Sequence, residues 1–277
     1  MRISDIISST RDIEISDRLC ILSFVLSMKK EEVLAEAEKI ISPRDIDLIY
    51  HMMDKRRQGM PIAYMTNKKE FCSEEFYVDE AVLIPRPETE LLVDEAIDII
   101  KDMQAPARVI DVGTGSGAIG IIISRQTGSK VVCIDVSPEA LKIARINRDV
   151  AGVSERVGLV CSDLLGGIKG KRIYDMIVAN LPYISEAEWG RVMDDVKGFE
   201  PKIALYGGKD GLEIYRRLIG LLPGYIKTNG WFLCEVGGKN QAGAIKDMLT
   251  RLGFLTYIKK DYSGTERIVV GRWIGLS

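Results

Sequence analysis

Histidine is nearly missing from this chain: His51 is the only one among 277 residues. A Ser-His-Asp triad or a two-histidine metal site would have to rest on that one side chain, and its polar, helix-forming neighbours predict a plain surface position. Cysteine is sparse and unpatterned. Cys20, Cys72, Cys133, Cys161 and Cys234 are odd in number and contain no C-x-x-C pair, which excludes a legible zinc site or disulfide framework and suits a reducing compartment. An excess of positive charge is also absent. The formal net charge of −2 argues against affinity built on many neutralised phosphates, so no stable nucleic-acid partner is expected. Long apolar runs are missing too: the stretches Leu19 to Leu26 and Ala118 to Ile123 fall far short of the ~20 residues that span a bilayer. Asp5, Arg11, Asp12, Glu14 and Asp17 precede any apolar run, so the basic-then-apolar order of a secretory signal is lacking. The expectation is a cytoplasmic protein with no membrane or metal partner.

What is present reads as two domains, because a single core rarely grows far past ~250 residues. Residues 1–67 read as helices. Val33, Ala37, Ile40 and Ile41 are expected on one helix face and Ile46, Ile49, Tyr50 and Met53 on another. Between them Ser42-Pro43-Arg44-Asp45 supplies an N-cap, a proline at the first helical position and an acid three residues on. Short aromatic runs at Glu70-Phe71-Cys72 and Phe76-Tyr77-Val78 predict a hairpin linker over 68–87. Residues 88–277 then alternate helix and strand after Pro85-Arg86-Pro87. Candidate strands are Arg108 to Val112, Lys130 to Asp135, Val157 to Ser162, Asp175 to Asn180, Trp231 to Val236, Phe254 to Lys259 and Arg267 to Arg272. No helix separates the last two, so they should pair antiparallel in an otherwise parallel, Rossmann-like α/β sheet of seven strands.

The first of these strands runs into Asp111-Val112-Gly113-Thr114-Gly115-Ser116-Gly117-Ala118-Ile119-Gly120. Glycines there permit a tight turn and let a ligand approach backbone N–H groups at a helix start. The loop alone is ambiguous, since Gly115 to Gly120 also satisfies the dinucleotide fingerprint G-x-G-x-x-G. Asp135 ends the second strand, where a carboxylate can accept both hydroxyls of a ribose or can cap the following helix. Asp163 and Leu164 follow the third strand and could meet an adenine ring. The fourth strand ends in Asn180-Leu181-Pro182-Tyr183. An amide NH2 is a poor nucleophile because its lone pair is delocalised into the carbonyl. The Asn180 side-chain oxygen and the Leu181 carbonyl could each accept one of its N–H bonds and so orient it, with Tyr183 covering its flat face. The same four residues could also be an ordinary turn.

In these motifs the chain resembles the release-factor glutamine methyltransferases, the PrmC or HemK family. The resemblance includes Leu83-Ile84-Pro85-Arg86-Pro87-Glu88-Thr89-Glu90, Asp111 to Gly120 and Asn180 to Ile184. It continues through Phe199-Glu200-Pro201, Gly207-Gly208-Lys209-Asp210-Gly211, Glu235-Val236-Gly237 with Gln241, and Lys260-Asp261-Tyr262-Ser263-Gly264. It implies the class I methyltransferase fold with a small all-helical N-terminal domain. It further implies S-adenosyl-L-methionine as cofactor and, as substrate, the glutamine of the Gly-Gly-Gln loop of a class I peptide-chain release factor. Gly113, Thr114, Gly115, Ser116, Gly117, Asp135, Asp163, Leu164 and Asn180 would then line the cofactor site. Asn180, Leu181, Pro182 and Tyr183 would hold the glutamine, with Asn180, Pro182 and Tyr183 as the catalytic set. The helical residues 1–67 would help recognise the release factor. Two positions depart from the family pattern: Leu181 stands where a second proline is usual, and Leu164 where an aromatic is common. Because Asn-Leu-Pro-Tyr also occurs in enzymes acting on ribosomal adenines, N-methylation of an adenine or guanine amino group in RNA or DNA is the alternative. A cofactor-binding scaffold without catalysis would not require the four-residue clamp.

Overall fold

The computed structural model describes residues 1–275. Its contacts divide the chain into two compact units, Met1–Lys68 together with Met193–Phe199, and Lys69–Val192 together with the residues from Glu200 on. The first unit is helical: α1 (Ile3–Ser9), α2 (Ile15–Leu26), α3 (Lys30–Ala35), α4 (Pro43–Arg57) and α5 (Ile62–Thr66). Ile3, Ile6, Ile21, Leu22, Ile49 and Met53 form its core, each wholly buried. α4 begins where its capping signal lies, with Ser42 Oγ accepting from the Asp45 N–H at 3.2 Å. His51 is exposed on α4.

The expected helix face through Val33, Ala37, Ile40 and Ile41 does not form. α3 stops at Ala35, and Ile41 is buried while Ile40 stays 77% exposed, the opposite-facing pair expected of an extended chain. The reason lies in α1, whose first N–H groups need acceptors. Ala37 and Lys39 supply them, accepting from Ser4 N at 2.8 Å and Ile3 N at 3.1 Å, while Ile41 N donates to the Met1 carbonyl at 3.0 Å.

β1 (Lys68–Phe71) and β2 (Glu74–Tyr77) make the hairpin, with the Phe71 and Phe76 rings edge to face at 6.1 Å. The second unit continues with α6 (Pro87–Asp102), β3 (Arg108–Val112), α7 (Ala118–Thr127), β4 (Lys130–Asp135), α8 (Pro138–Val150), β5 (Val157–Cys161), β6 (Tyr174–Ala179) and α9 (Glu186–Trp189). α10 (Asp194–Phe199) belongs to the helical unit. Then come α11 (Lys202–Leu205), α12 (Glu213–Leu221), β7 (Ile226–Glu235), α13 (Lys239–Arg251), β8 (Phe254–Lys260) and β9 (Glu266–Trp273).

Seven strands form one sheet in the order β5-β4-β3-β6-β7-β9-β8, parallel throughout except β9, which runs against both its neighbours. The antiparallel strand is thus the last in the chain, but it slots inside β8 instead of closing the edge. β7 starts at Ile226, earlier than the apolar run from Trp231; Asn229 at φ 65° and Gly230 carry an irregularity there that the alternation of apolar residues does not reveal. Along the central strands successive side chains enter opposite cores. Val109, Met176 and Val178 join the layer with α6 and α7, whereas Ile110, Ile177 and Ala179 join the layer with α12 and α13. Strand order reverses beside β3, and at such a switch point the carboxyl ends of the strands leave a crevice for a ligand.

Candidate active site

A cavity of about 360 Å³ opens at that crevice, within the ~300–1,000 Å³ usual for small-molecule sites. Its floor is the turn after β3. The N–H groups of Gly113 and Thr114 donate to the Ile134 carbonyl at 2.8 and 2.9 Å, which fastens the turn to β4. At Gly115 nothing lies within 4 Å of the space a Cβ would take; its φ of 54° and its open side on the cavity are what call for glycine. Gly113, Thr114, Gly115 and Ser116 line the cavity. Gly117 does not: it lies against Ile121 and Ala144, packing the start of α7 on α8.

Asp111 sits under the turn, fully buried. Its Oδ2 accepts from Thr114 Oγ1 at 2.5 Å and from the Gly120 N–H at 3.0 Å, while Oδ1 meets no protein donor among the described residues. Burial pushes this carboxyl up to about 6, against the pull of those two hydrogen bonds. A native carboxyl that holds its proton more tightly than the unfolded one, ordinarily at 3.8, contributes stability below pH 4 that is lost as pH rises through about 6. Asp111→Asn is therefore expected to flatten the fall in unfolding free energy between pH 4 and 7 by on the order of 1–3 kcal/mol in urea titrations. An unchanged slope would mean that Asp111 titrates normally.

Asp135, at the end of β4, lines the cavity and accepts from Gly115 N at 2.8 Å through Oδ2 and from Ser137 N at 2.9 Å through Oδ1. Burial raises its pKa, while these backbone bonds oppose the rise. Capping of α8 falls instead to Ser137, whose Oγ accepts from Ala140 N at 3.1 Å. Each Asp135 oxygen keeps a lone pair for a further donor. Asp163 and Leu164 line the same cavity; Asp163 is paired at 2.5 Å with Arg217 on α12, a cavity residue that sequence patterns did not single out.

Opposite the glycine turn, Asn180, Leu181 and Pro182 follow β6 and form a cavity wall. The Asn180 Nδ2 group donates to Thr89 Oγ1 and to Glu235 Oε2, both at 3.1 Å. Among the described residues its Oδ1 accepts no protein hydrogen bond, and neither does the Leu181 carbonyl. Leu181 N donates to the Tyr215 hydroxyl at 3.1 Å, which itself donates to the Glu235 carbonyl at 2.6 Å. Leu181 thus carries an N–H that a proline would lack, and the Tyr215 hydroxyl occupies it. Tyr183, expected to cover the substrate, is not among the residues that line the cavity. Its ring packs on Gly237 and its hydroxyl donates to Glu235 Oε1 at 3.3 Å, because a buried phenol needs an acceptor. The Tyr183 carbonyl is held by Gln241 Nε2 at 2.7 Å.

Three further anchors lay outside the sequence-based site. Glu235, 1% exposed at the end of β7, accepts from Thr89, Asn180 and Tyr183, and burial raises its pKa against the pull of Thr89 and Arg267. The signal for it was an acid closing the apolar run Trp231 to Cys234, since carboxylates are rarely buried without a task. Glu200 is also buried and holds the Ile84 N–H at 3.3 Å and the Arg86 guanidinium, fixing the part of the cavity wall made by Pro85 and Arg86. Gly207 is in backbone contact with the clamp: a Cβ there would stand 2.5 Å from the Pro182 carbonyl oxygen.

A glycine-turn cavity at the switch point of a seven-stranded sheet whose final strand is antiparallel defines a class I methyltransferase fold. Residues 88–183 match the family model described as ribosomal protein L11 methyltransferase (PrmA). A methyltransferase structure from Pyrococcus furiosus superposes with a TM-score of 0.58 at 19% identity, covering 80% of this chain and all of that one, a likeness of fold. The release factor glutamine methyltransferases of Clostridium acetobutylicum and Koribacter versatilis are each 36% identical to it, over 92% and 91% of this chain and 90% and 89% of theirs. The chain belongs to the release factor glutamine methyltransferase family.

Proposed function

We propose that this protein methylates the side-chain amide nitrogen of the glutamine in the Gly-Gly-Gln loop of class I peptide-chain release factors, with S-adenosyl-L-methionine as cofactor. The observation that carries the reading is the pair of unengaged acceptors, Asn180 Oδ1 and the Leu181 carbonyl, on a cavity wall facing a glycine turn. The residues fit the cofactor. The open side of Gly115 leaves room for close approach, and the spare lone pairs of Asp135 suit two ribose hydroxyls. Asp163 and Leu164 offer an acceptor and an apolar surface for the adenine. When bound, S-adenosylmethionine supplies an electrophilic methyl group on its sulfonium.

The chain's own residues then have defined tasks. Asn180 and Leu181 each accept one N–H of the glutamine amide, so its nitrogen is held in one orientation and enriched in electron density. Asparagine is no base at neutral pH, so the amide proton is lost after N–C bond formation, to solvent or to a backbone acceptor. Pro182 stiffens the wall that carries both acceptors. The helical unit Met1–Lys68 is assigned to recognition of the release factor; in support, Leu34, Ile40 and Leu48 lie exposed on it. A cytoplasmic site of action follows from such a substrate; among the described residues no helix is long and apolar enough to cross a membrane.

The test is mass spectrometry of recombinant release factor after incubation with enzyme and cofactor. One added methyl on the Gly-Gly-Gln peptide supports the reading, whereas labelling of RNA without that peptide favours base methylation. Asp135→Ala is expected to weaken S-adenosylhomocysteine binding by about 1.5–3 kcal/mol in calorimetry, the usual range for hydrogen bonds to a charged group. Unchanged affinity would remove Asp135 from the ribose site.

A further inference from the structure

An asparagine amide is nearly symmetric in shape but not in chemistry: turned through a half-circle it offers NH2 where it had offered oxygen. A clamp for a substrate NH2 works in only one of the two orientations. The buried groups around Asn180 distinguish them. Thr89 Oγ1 has a single proton, and its 2.6 Å bond to Glu235 Oε2 takes it up. Toward Asn180, 3.1 Å away, the same oxygen can therefore only accept. Glu235 Oε2, also at 3.1 Å, is a carboxylate oxygen and likewise accepts. Both partners of the Asn180 Nδ2 group are thus committed acceptors, and a reversed amide would set Oδ1 against two oxygens inside the protein. Tyr183 keeps the carboxylate in place by donating to its other oxygen at 3.3 Å. Nothing else in the cavity wall imposes this choice, since Oδ1 itself has no protein partner among the described residues.

We propose that Glu235, acting with Thr89, is the positioning residue that sets the polarity of the clamp, holding the Asn180 amide with its oxygen toward the substrate. The proposal rests on the glutamine-methylation reading and adds a residue that touches neither substrate nor cofactor. Three substitutions separate its parts. In Glu235→Gln one carboxylate oxygen becomes an NH2 donor, which upsets both contacts of Oε2, to Thr89 and Asn180, or the single contact of Oε1 to Tyr183. Thr89→Val removes an acceptor and the relay, and Thr89→Ser restores both.

The experiment measures steady-state methylation of release factor by the full-length enzyme, with S-adenosylhomocysteine calorimetry confirming that each variant folds and binds. Glu235→Gln is expected to lower kcat by about 10–100-fold, and Thr89→Val by about tenfold, with the KM for cofactor little changed. Thr89→Ser should return to within about threefold of wild type. The deciding comparison is the double variant: in an Asn180→Ala background, Glu235→Gln should cost less than about threefold, because the amide it orients is gone. An equal loss in both backgrounds overturns the proposal, as does a Thr89→Ser variant no better than Thr89→Val. If Glu235→Gln does not fold, Thr89→Val takes its place in the same double variant. A wild-type enzyme that labels RNA and not the release factor sinks the substrate assignment alone, and the coupling is then read on RNA.

Discussion

Asn180→Ala is expected to lower kcat for release-factor methylation by roughly 30–1,000-fold, equivalent to about 2–4 kcal/mol of barrier, the scale for losing one preorganised group that acts on the reacting centre. The size follows from what the side chain does. Its Nδ2 end is spent on Thr89 and Glu235, so its oxygen is the only part left for the cavity. Removing it leaves the substrate nitrogen with the Leu181 carbonyl alone, and a delocalised amide lone pair held by one contact is free to turn away. Cofactor affinity should fall less than tenfold, because the glycine turn and Asp135 are untouched. A matched loss of kcat and cofactor affinity would place Asn180 in the cofactor site only.

Gly207→Ala should be nearly as damaging, although Gly207 does not line the cavity. The added methyl would lie 2.5 Å from the Pro182 carbonyl oxygen and 2.9 Å from the Gly211 carbonyl oxygen and from Tyr183 Cα, so the backbone that carries the clamp must move. That backbone is otherwise fastened beside it, Ile184 N donating to Leu205 O at 3.0 Å and Gly207 N to Ile184 O at 2.9 Å. A shift of ~1 Å in a positioning element can cost about 100-fold in rate. The expected result is a fall in kcat of that order, with S-adenosylhomocysteine affinity close to wild type. A variant with full activity would show that the clamp tolerates displacement and that its position is not what limits the reaction.

The layout of the catalytic unit was largely legible in the sequence, because parallel strands buried on both faces read as apolar runs and each glycine or Asn-x-Pro turn falls at the end of one. Local patterns also marked the cap at Ser42 and the hairpin around Phe71 and Phe76. What stayed hidden was set by distant partners. The path of Ala37 to Ile41 depends on free N–H groups in α1, which no periodicity within that segment records. Tyr183 reads as a cover for the substrate by its place beside the clamp, and nothing local in the sequence reveals that its hydroxyl donates to Glu235. Glu235 and Thr89 are separated by 146 positions and Glu235 and Asn180 by 55, so their meeting appears only when β6, β7 and α6 are assembled. The early start of β7 is hidden in the same way, behind Asn229 and Gly230.

A crystal structure with S-adenosylhomocysteine and a Gly-Gly-Gln release-factor fragment would show whether the two acceptors after β6 present a glutamine amide to a cofactor seated on the turn after β3. The expected result is the product sulfur over the Gly113 to Gly115 turn and the glutamine nitrogen at about 3 Å from both Asn180 Oδ1 and the Leu181 carbonyl oxygen. A glutamine bound elsewhere, or one facing the Asn180 NH2 group, would contradict it.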